Sequence, residues 1–178
     1  IQTLKALPSI TVLEAGYAQS SKTNALRFAI DYLSTKTEKY EMVVIMDADN
    51  IVNTSFLNKL NDAYYSGCLA IQAHRVAKNR NTNTAVLDAV SEEINNSIFR
   101  SGHTHLGFSS ALIGSGMALD YDWFRHYIFN ANHLGLSKQL ESMLLSQNIY
   151  IEFLEDVYIY DEKIETSRQF YEQRRRWI

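Results

Sequence analysis

One cysteine, one proline and seven glycines are all that 178 residues contain of these types. The lone Cys68 excludes a disulfide framework and any cysteine-based zinc site, and it fits a reducing compartment. A single Pro8 and so few glycines leave no linker to divide the chain, and no repeat or low-complexity tract is present. No apolar run approaches the roughly 20 residues that a membrane span needs. Charge of one sign is missing too. The net charge is -3, so no global field recruits nucleic acid. What remains is 46% hydrophobic, ordinary for one globular domain with its own core. The chain starts at Ile1 and stops at Trp177-Ile178 inside a charged, helix-like run. Residues 1–178 are therefore expected to be a single domain cut from a longer polypeptide at both ends.

Against that background the stretch from Val43 to Asn50 stands out. Val43-Val44-Ile45-Met46 is too short for a helix and shows no polar alternation, so it reads as a central α/β strand covered on both faces. Ligands of such sheets bind where strands end, which puts Asp47 and Asp49 at the carboxyl edge. In extended backbone, residues two apart share a side, so both carboxylates can face one ligand. Two hard oxygen donors with one outlook suit Mg²⁺ or Mn²⁺, with a diphosphate supplying further oxygens. Nine aspartates make chance Asp-x-Asp pairs common, and Asp120-Tyr121-Asp122 is one. That second pair precedes a helical pattern and reads as a cap with a favourable first-turn charge. The bland reading of the first pair is a strand-to-loop turn with solvated aspartates.

Other elements follow in order. Ile10 to Leu13 is a strand candidate. Lys22 to Leu33 has helical spacing, with Ser20 or Ser21 as cap. Lys22 in the first turn opposes the helix dipole, which an anionic ligand would rationalise and a solvated side chain would also explain. Asn53 or Thr54 caps a helix to Tyr65, and Leu69 to His74 is a strand. Ala85 to Phe99 is a long helix with Val86, Leu87, Val90, Ile94 and Ile98 on its apolar spacing. His103 and His105 would share a face in a strand, but spacing fixes no third ligand for a metal. Gly114-Ser115-Gly116-Met117 lacks the pattern of a dinucleotide loop. It reads as a place of close backbone approach or as a tight turn. Ser137 to Gln147 is an amphipathic helix carrying Glu141, and Ile149 to Leu154 is a strand. Glu155, Asp156, Asp161 and Glu162 read as solvated. Thr166 or Ser167 opens a last helix that ends in Gln173-Arg174-Arg175-Arg176-Trp177. There an aromatic face suits a sugar and arginine suits phosphate, while a basic helix end is the plain alternative.

Taken in order, Lys22-Thr23-Asn24-Ala25-Leu26, Asp47-Ala48-Asp49, Gly114-Ser115-Gly116-Met117 and Gln173-Arg174-Arg175-Arg176-Trp177 resemble the family 2 glycosyltransferases. The likeness is to the membrane-linked branch that builds polysaccharides. It implies a GT-A-like α/β fold, with a mixed, mostly parallel sheet and helices on both faces. It also implies an inverting transfer of a sugar from a nucleotide-sugar donor, a UDP-sugar above all, to a saccharide acceptor. Lys22, Asn24, Asp47 and Asp49 would serve the donor, with Asp49 and Asp47 holding Mn²⁺ or Mg²⁺. Gly114, Ser115, Gly116, Gln173, Arg176 and Trp177 would serve the acceptor. The place implied is the cytoplasmic face of the cell membrane, with association through segments outside this chain.

Two departures accompany the resemblance. The Pro-x-x-Asn-Glu-like strand and the base-gripping Asp that precede Asp-x-Asp in the family have no counterpart here. The family's catalytic base belongs to a Glu-Asp pair at the helix containing Leu140, where this sequence places Ser137. Glu141 is the nearest carboxylate, displaced by about 5 Å, one helical turn. A sugar-nucleotide-binding module with impaired transfer is therefore an alternative, and a nucleotidyltransferase is another.

Overall fold

The computed structural model describes residues 5, 7–16, 21–132 and 135–177, with side chains described as far as Arg175. Helix α1, Lys22–Ser34, starts at Ser21, whose hydroxyl accepts from the Asn24 amide at 3.1 Å. The alternative cap, Ser20, lies outside the described residues, and residues 10–13 form no strand. Strand β1, Met42–Ile45, runs into the acidic turn, and β2, Ile51–Val52, leaves it. Helix α2, Phe56–Tyr65, begins one residue beyond the expected caps, at Ser55, whose side chain makes no capping bond. Then come β3, Ala70–Ala77, and α3, Asn83–Ile94, capped by the Thr82 hydroxyl. A π-helical segment, Asn95–Ser101, prolongs α3 into the short α4, Gly102–His105. Strand β4, Met117–Asp120, meets α5, Tyr121–Tyr127, where Asp120 caps the Trp123 amide as the second Asp-x-Asp predicts. Helix α6, Leu136–Ser146, β5, Ile151–Asp161, and α7, Ser167–Trp177, complete the order.

The five strands form one mixed sheet in the order β1-β4-β3-β5-β2. Strands β1, β3 and β5 run the same way. Neighbouring strands are nevertheless antiparallel at β1–β4, β4–β3 and β5–β2, with β3–β5 the parallel pair. The departure from a mostly parallel ladder arises because β4 inserts, reversed, between β1 and β3. β1 is thus an edge of the described sheet rather than a central strand. Its apolar run is still explained by cover on both faces, since Val43 packs with one core and Met42 and Val44 with the other.

Those two cores follow from side-chain alternation. Ala70, Met117, Leu119 and Ile151 face α1, α5 and α6, meeting Ile30, Phe124, Leu140 and Leu144. Ile71, Ala73, Ala118 and Ile159 face α2 through Phe56 and Leu60. Helices therefore cover both faces, as expected. Each fully buried Leu, Ile or Phe contributes roughly 1.5–3 kcal/mol relative to exposure. No helix of the described residues is long and apolar enough to cross a membrane.

The α3 helix inverts its sequence pattern. Asp88, Glu92, Asn96 and Arg100 recur every four residues and are only 8, 9, 1 and 6% exposed. The apolar residues Leu87, Val90, Ile94 and Ile98, by periodicity the inward set, face outward. The reason lies beneath the helix, where Arg75 of β3, Lys163 beyond β5 and Arg174 of α7 supply charged partners for the polar row.

Candidate active site

The acidic stretch closes a turn at the end of β1. The Asn50 amide donates to the Asp47 carbonyl at 3.1 Å, so the backbone is not extended across the pair. The two carboxylates consequently face different partners. Lys22 donates to Asp47 and also to the Gly114 carbonyl at 2.6 Å. Asp49 turns toward the end of β5, where the Glu162 amide approaches its carboxylate at 3.4 Å. Asn50 holds the turn between them. Its side-chain oxygen accepts from the Asp47 amide at 2.7 Å and from the Ser115 hydroxyl, and its amide nitrogen lies 3.4 Å from Asp49.

The Gly-Ser-Gly segment is fixed from below. Buried Gln72 of β3 donates to the Ser115 carbonyl at 2.9 Å and accepts from the Ile113 amide at 3.0 Å. Ser115 is wholly buried, so its hydroxyl braces the acidic turn. Gly114 and Gly116 have φ of +91° and +65°. At Gly116 a Cβ would lie 2.8 Å from Ile159 Cγ2, so both conformation and space require glycine. At Gly114 the neighbour is Ser137, whose hydroxyl would lie 3.9 Å from such a Cβ.

Gly114's neighbour Ser137 lines a cleft of about 760 Å³ with Arg75, Glu92, Arg100, Asp161 and Gln173. Its floor is an ionic network. Glu92 accepts from Arg100 at 3.0 Å and from Arg75, and Lys163 reaches Asp161 at 2.8 Å. Asp161 therefore belongs to a buried cluster and is not solvated. Burial raises the Asp161 carboxyl above its usual value, outweighing Arg75 and Lys163. Burial also pushes Glu92 upward, but Arg75, then Lys163 and Arg100, overcome it and hold Glu92 below the usual range. Burial lowers the Arg100 guanidinium.

Of the residues singled out from sequence, Ser137 and Gln173 line this cleft, whereas Lys22, Asp47, Gly114 and Ser115 are joined at the acidic turn. Asn24 contributes its backbone to the α1 cap. The Gln173 side-chain oxygen is buried and has no hydrogen-bond partner among the described residues. Arg174 pairs with Asp88 at 2.9 Å across the rim. The side chains of Arg176 and Trp177 lie outside the described residues. Glu141 accepts from the Leu112 amide and from Lys138, both at 2.8 Å, so its carboxylate anchors the segment before Gly114. His103 and His105 lie on a helix and so diverge. His103 packs edge-on against Phe99 and Phe108, and His105 lies beside Glu155.

Asn50, Gln72, Glu92, Arg100 and Lys163 were not singled out from sequence. For the α3 pair a signal existed, the four-residue spacing of polar side chains; for Asn50 it was position beside Asp49 in a turn.

No group of three or more His, Cys, Asp or Glu gathers as a metal site among the described residues. The donor chemistry of the acidic turn nonetheless fits a hard divalent cation that takes its remaining oxygens from a ligand. Asp49 is exposed, and its side-chain contacts at 3.4 Å are long enough to exchange for a metal bond. Residues 42–178 match the family described as Glycosyl transferase family group 2. The mixed five-stranded sheet flanked by helices is the GT-A-like arrangement. No curated protein matches the chain.

Proposed function

Because the chain belongs to Glycosyl transferase family group 2, we propose that it moves a sugar from a UDP-sugar to a saccharide acceptor with inversion. The observation that supports this reading is the tie of Lys22 to both Asp47 and the Gly114 carbonyl, with Gly114 next to the cleft that Ile113, Ser137 and Gln173 line. Lys22 and Asn24 serve the donor at the N-terminal turn of α1, where positive charge and amide dipoles favour a diphosphate. Asp49, aided by Asp47, holds Mn²⁺ or Mg²⁺. The cation, when bound, offsets charge on the departing diphosphate.

The acceptor enters over Gly114 and Gly116, with Gln173, Arg176 and Trp177 holding its sugar. Ser115 supports that loop from beneath. The acceptor hydroxyl oxygen forms the new bond to the anomeric carbon as the carbon–oxygen bond to the diphosphate breaks. Glu141 is the proposed proton acceptor, released from Lys138 and the Leu112 amide when substrate is bound. The cytoplasmic membrane face and polysaccharide synthesis belong to the same reading of the whole polypeptide.

A second reading is favoured by Ser137 beside Gly114 and by Glu141 being engaged with two donors. It makes the domain a sugar-nucleotide-binding module with impaired transfer. The full-length protein is to be incubated with UDP-sugars, Mn²⁺ and saccharide acceptors. Release of UDP with a glycosylated product, lost in Asp49→Ala, supports transfer. Pyrophosphate as product would identify a nucleotidyltransferase. UDP binding without turnover, and turnover gained in Ser137→Asp, would establish the binding module.

A further inference from the structure

Each oxygen of the Asp49 carboxylate faces one uncharged donor. The Asn50 side-chain nitrogen lies 3.4 Å from Oδ1, and the Glu162 backbone amide lies 3.4 Å from Oδ2. The backbone of Asp49 is held more closely, since Lys78 donates to its carbonyl at 2.9 Å. Asp47 differs, because the charged Lys22 takes its carboxylate. An ionised carboxylate offers about four lone-pair sites, so two neutral contacts orient the Asp49 group and leave its other sites open.

The orientation of Asn50 is itself dictated. The Asp47 amide can only donate, so the Asn50 atom 2.7 Å from it is the oxygen. The same oxygen accepts from the Ser115 hydroxyl, which uses its second lone pair. The side-chain nitrogen is left to face Asp49. Aspartate in this place would lack the donor, and an apolar side chain would lack all three bonds. Ser115 is fixed in turn. It is wholly buried, and Gln72, also wholly buried, donates to its carbonyl at 2.9 Å. A chain of hydrogen bonds thus runs from the interior of the sheet through Gln72, Ser115 and Asn50 to Asp49.

We propose, resting on Asp49 as the ligand of the cation in the reading above, that Asn50 is a positioning residue that sets metal affinity by orienting that carboxylate, and that Ser115 acts on the metal through Asn50. Without the amide, the Asp49 side chain regains rotamer freedom that metal binding must then remove. Without the Ser115 hydroxyl, the Asn50 side chain loses one of the two donors that fix it, and the same freedom returns. The two residues act in series, so their effects do not add.

The test titrates the full-length polypeptide with Mn²⁺ in the presence of UDP and reads free Mn²⁺ by electron paramagnetic resonance. Asn50→Ala and Ser115→Ala should each raise the Mn²⁺ dissociation constant about ten- to a hundredfold, the range for partners that orient a metal ligand. The double variant should bind no more weakly than Asn50→Ala alone. Leu60→Val, which loosens the core on the α2 face without touching this chain of bonds, should keep the natural Mn²⁺ affinity. Urea unfolding of the metal-free variants supplies the contrast, because a mere brace would lower stability and leave Mn²⁺ affinity as it was. Unchanged Mn²⁺ affinity in Asn50→Ala, or effects of the two substitutions that multiply, would overturn the positioning role alone. Failure of the natural chain to take up Mn²⁺ would overturn the metal reading with it.

Discussion

Lys22 bridges Asp47 and the Gly114 carbonyl, tying the first turn of α1 to the acidic turn and the glycine loop. A cation at a helix N-terminus is unfavourable for the dipole. Its place is explained by the two acceptors it serves and by the anion proposed to join them. Loss of that charge should weaken donor binding. Lys22→Met is expected to lower the affinity for UDP with Mn²⁺ about ten- to a hundredfold, the range of a charge-assisted hydrogen bond. Calorimetric titration measures it, and an unchanged affinity would restrict Lys22 to holding the loop.

Asp49 should behave differently from Asp47 because their partners differ. Chelation with EDTA is expected to weaken UDP binding by the natural chain. In Asp49→Asn the affinity should already be low and should no longer respond to Mn²⁺ or EDTA. Electron paramagnetic resonance of free Mn²⁺ reads the metal directly. Equal Mn²⁺ uptake by both proteins would remove Asp49 from the metal site.

The ionic floor of the cleft predicts a stability change with a definite pH dependence. Glu92 is the shared anion of Arg75, Arg100 and Lys163. Glu92→Gln leaves buried cations under-compensated and should cost about 3–5 kcal/mol. In the natural chain Glu92 titrates below the usual 4.5, so its contribution is full above about pH 4.5 and fades as pH falls through its folded value. Asp161 has the opposite sign. Its carboxyl lies above the usual 3.8, so it costs stability at neutral pH, and acid relieves that cost. Urea unfolding across the acid range should show the loss on acidification reduced in Glu92→Gln and enlarged in Asp161→Asn.

Local rules carried the element assignments. Ser21, Thr82 and Asp120 cap helices as such side chains do, and α6 ends at Ser146, within a residue of the expected Gln147, with Asn148 at φ +59° just beyond. Relations between distant segments were less legible. The Asp47–Asn50 turn depends on Ser115, which lies 65 residues beyond Asn50. The inward face of α3 depends on Arg75, Lys163 and Arg174, so apolar periodicity named the wrong side. The reversed β4 also escaped detection, since a four-residue strand carries no mark of direction. The ordered motifs, by contrast, led to the family that residues 42–178 match.

Gly116 offers the sharpest local test of how the site is built. Its φ of +65° strains any L side chain, and an added methyl would meet Ile159 Cγ2 at 2.8 Å and Ala73 Cβ at 3.4 Å. Both neighbours belong to sheet strands, and their core cannot withdraw without loss elsewhere. Gly116→Ala should therefore destabilise by about 2–4 kcal/mol, conformational strain and overpacking together. Because the Gly116 amide and carbonyl bond Ile45 and Ala73 at 2.9 and 2.8 Å, the acidic turn after Ile45 should shift with it. Removing the obstacle separates the two costs. In an Ile159→Ala background the added penalty of Gly116→Ala should shrink to the strain alone, about 1–2 kcal/mol. A penalty unchanged by Ile159→Ala would mean that the close approach contributes nothing and that backbone conformation alone selects glycine.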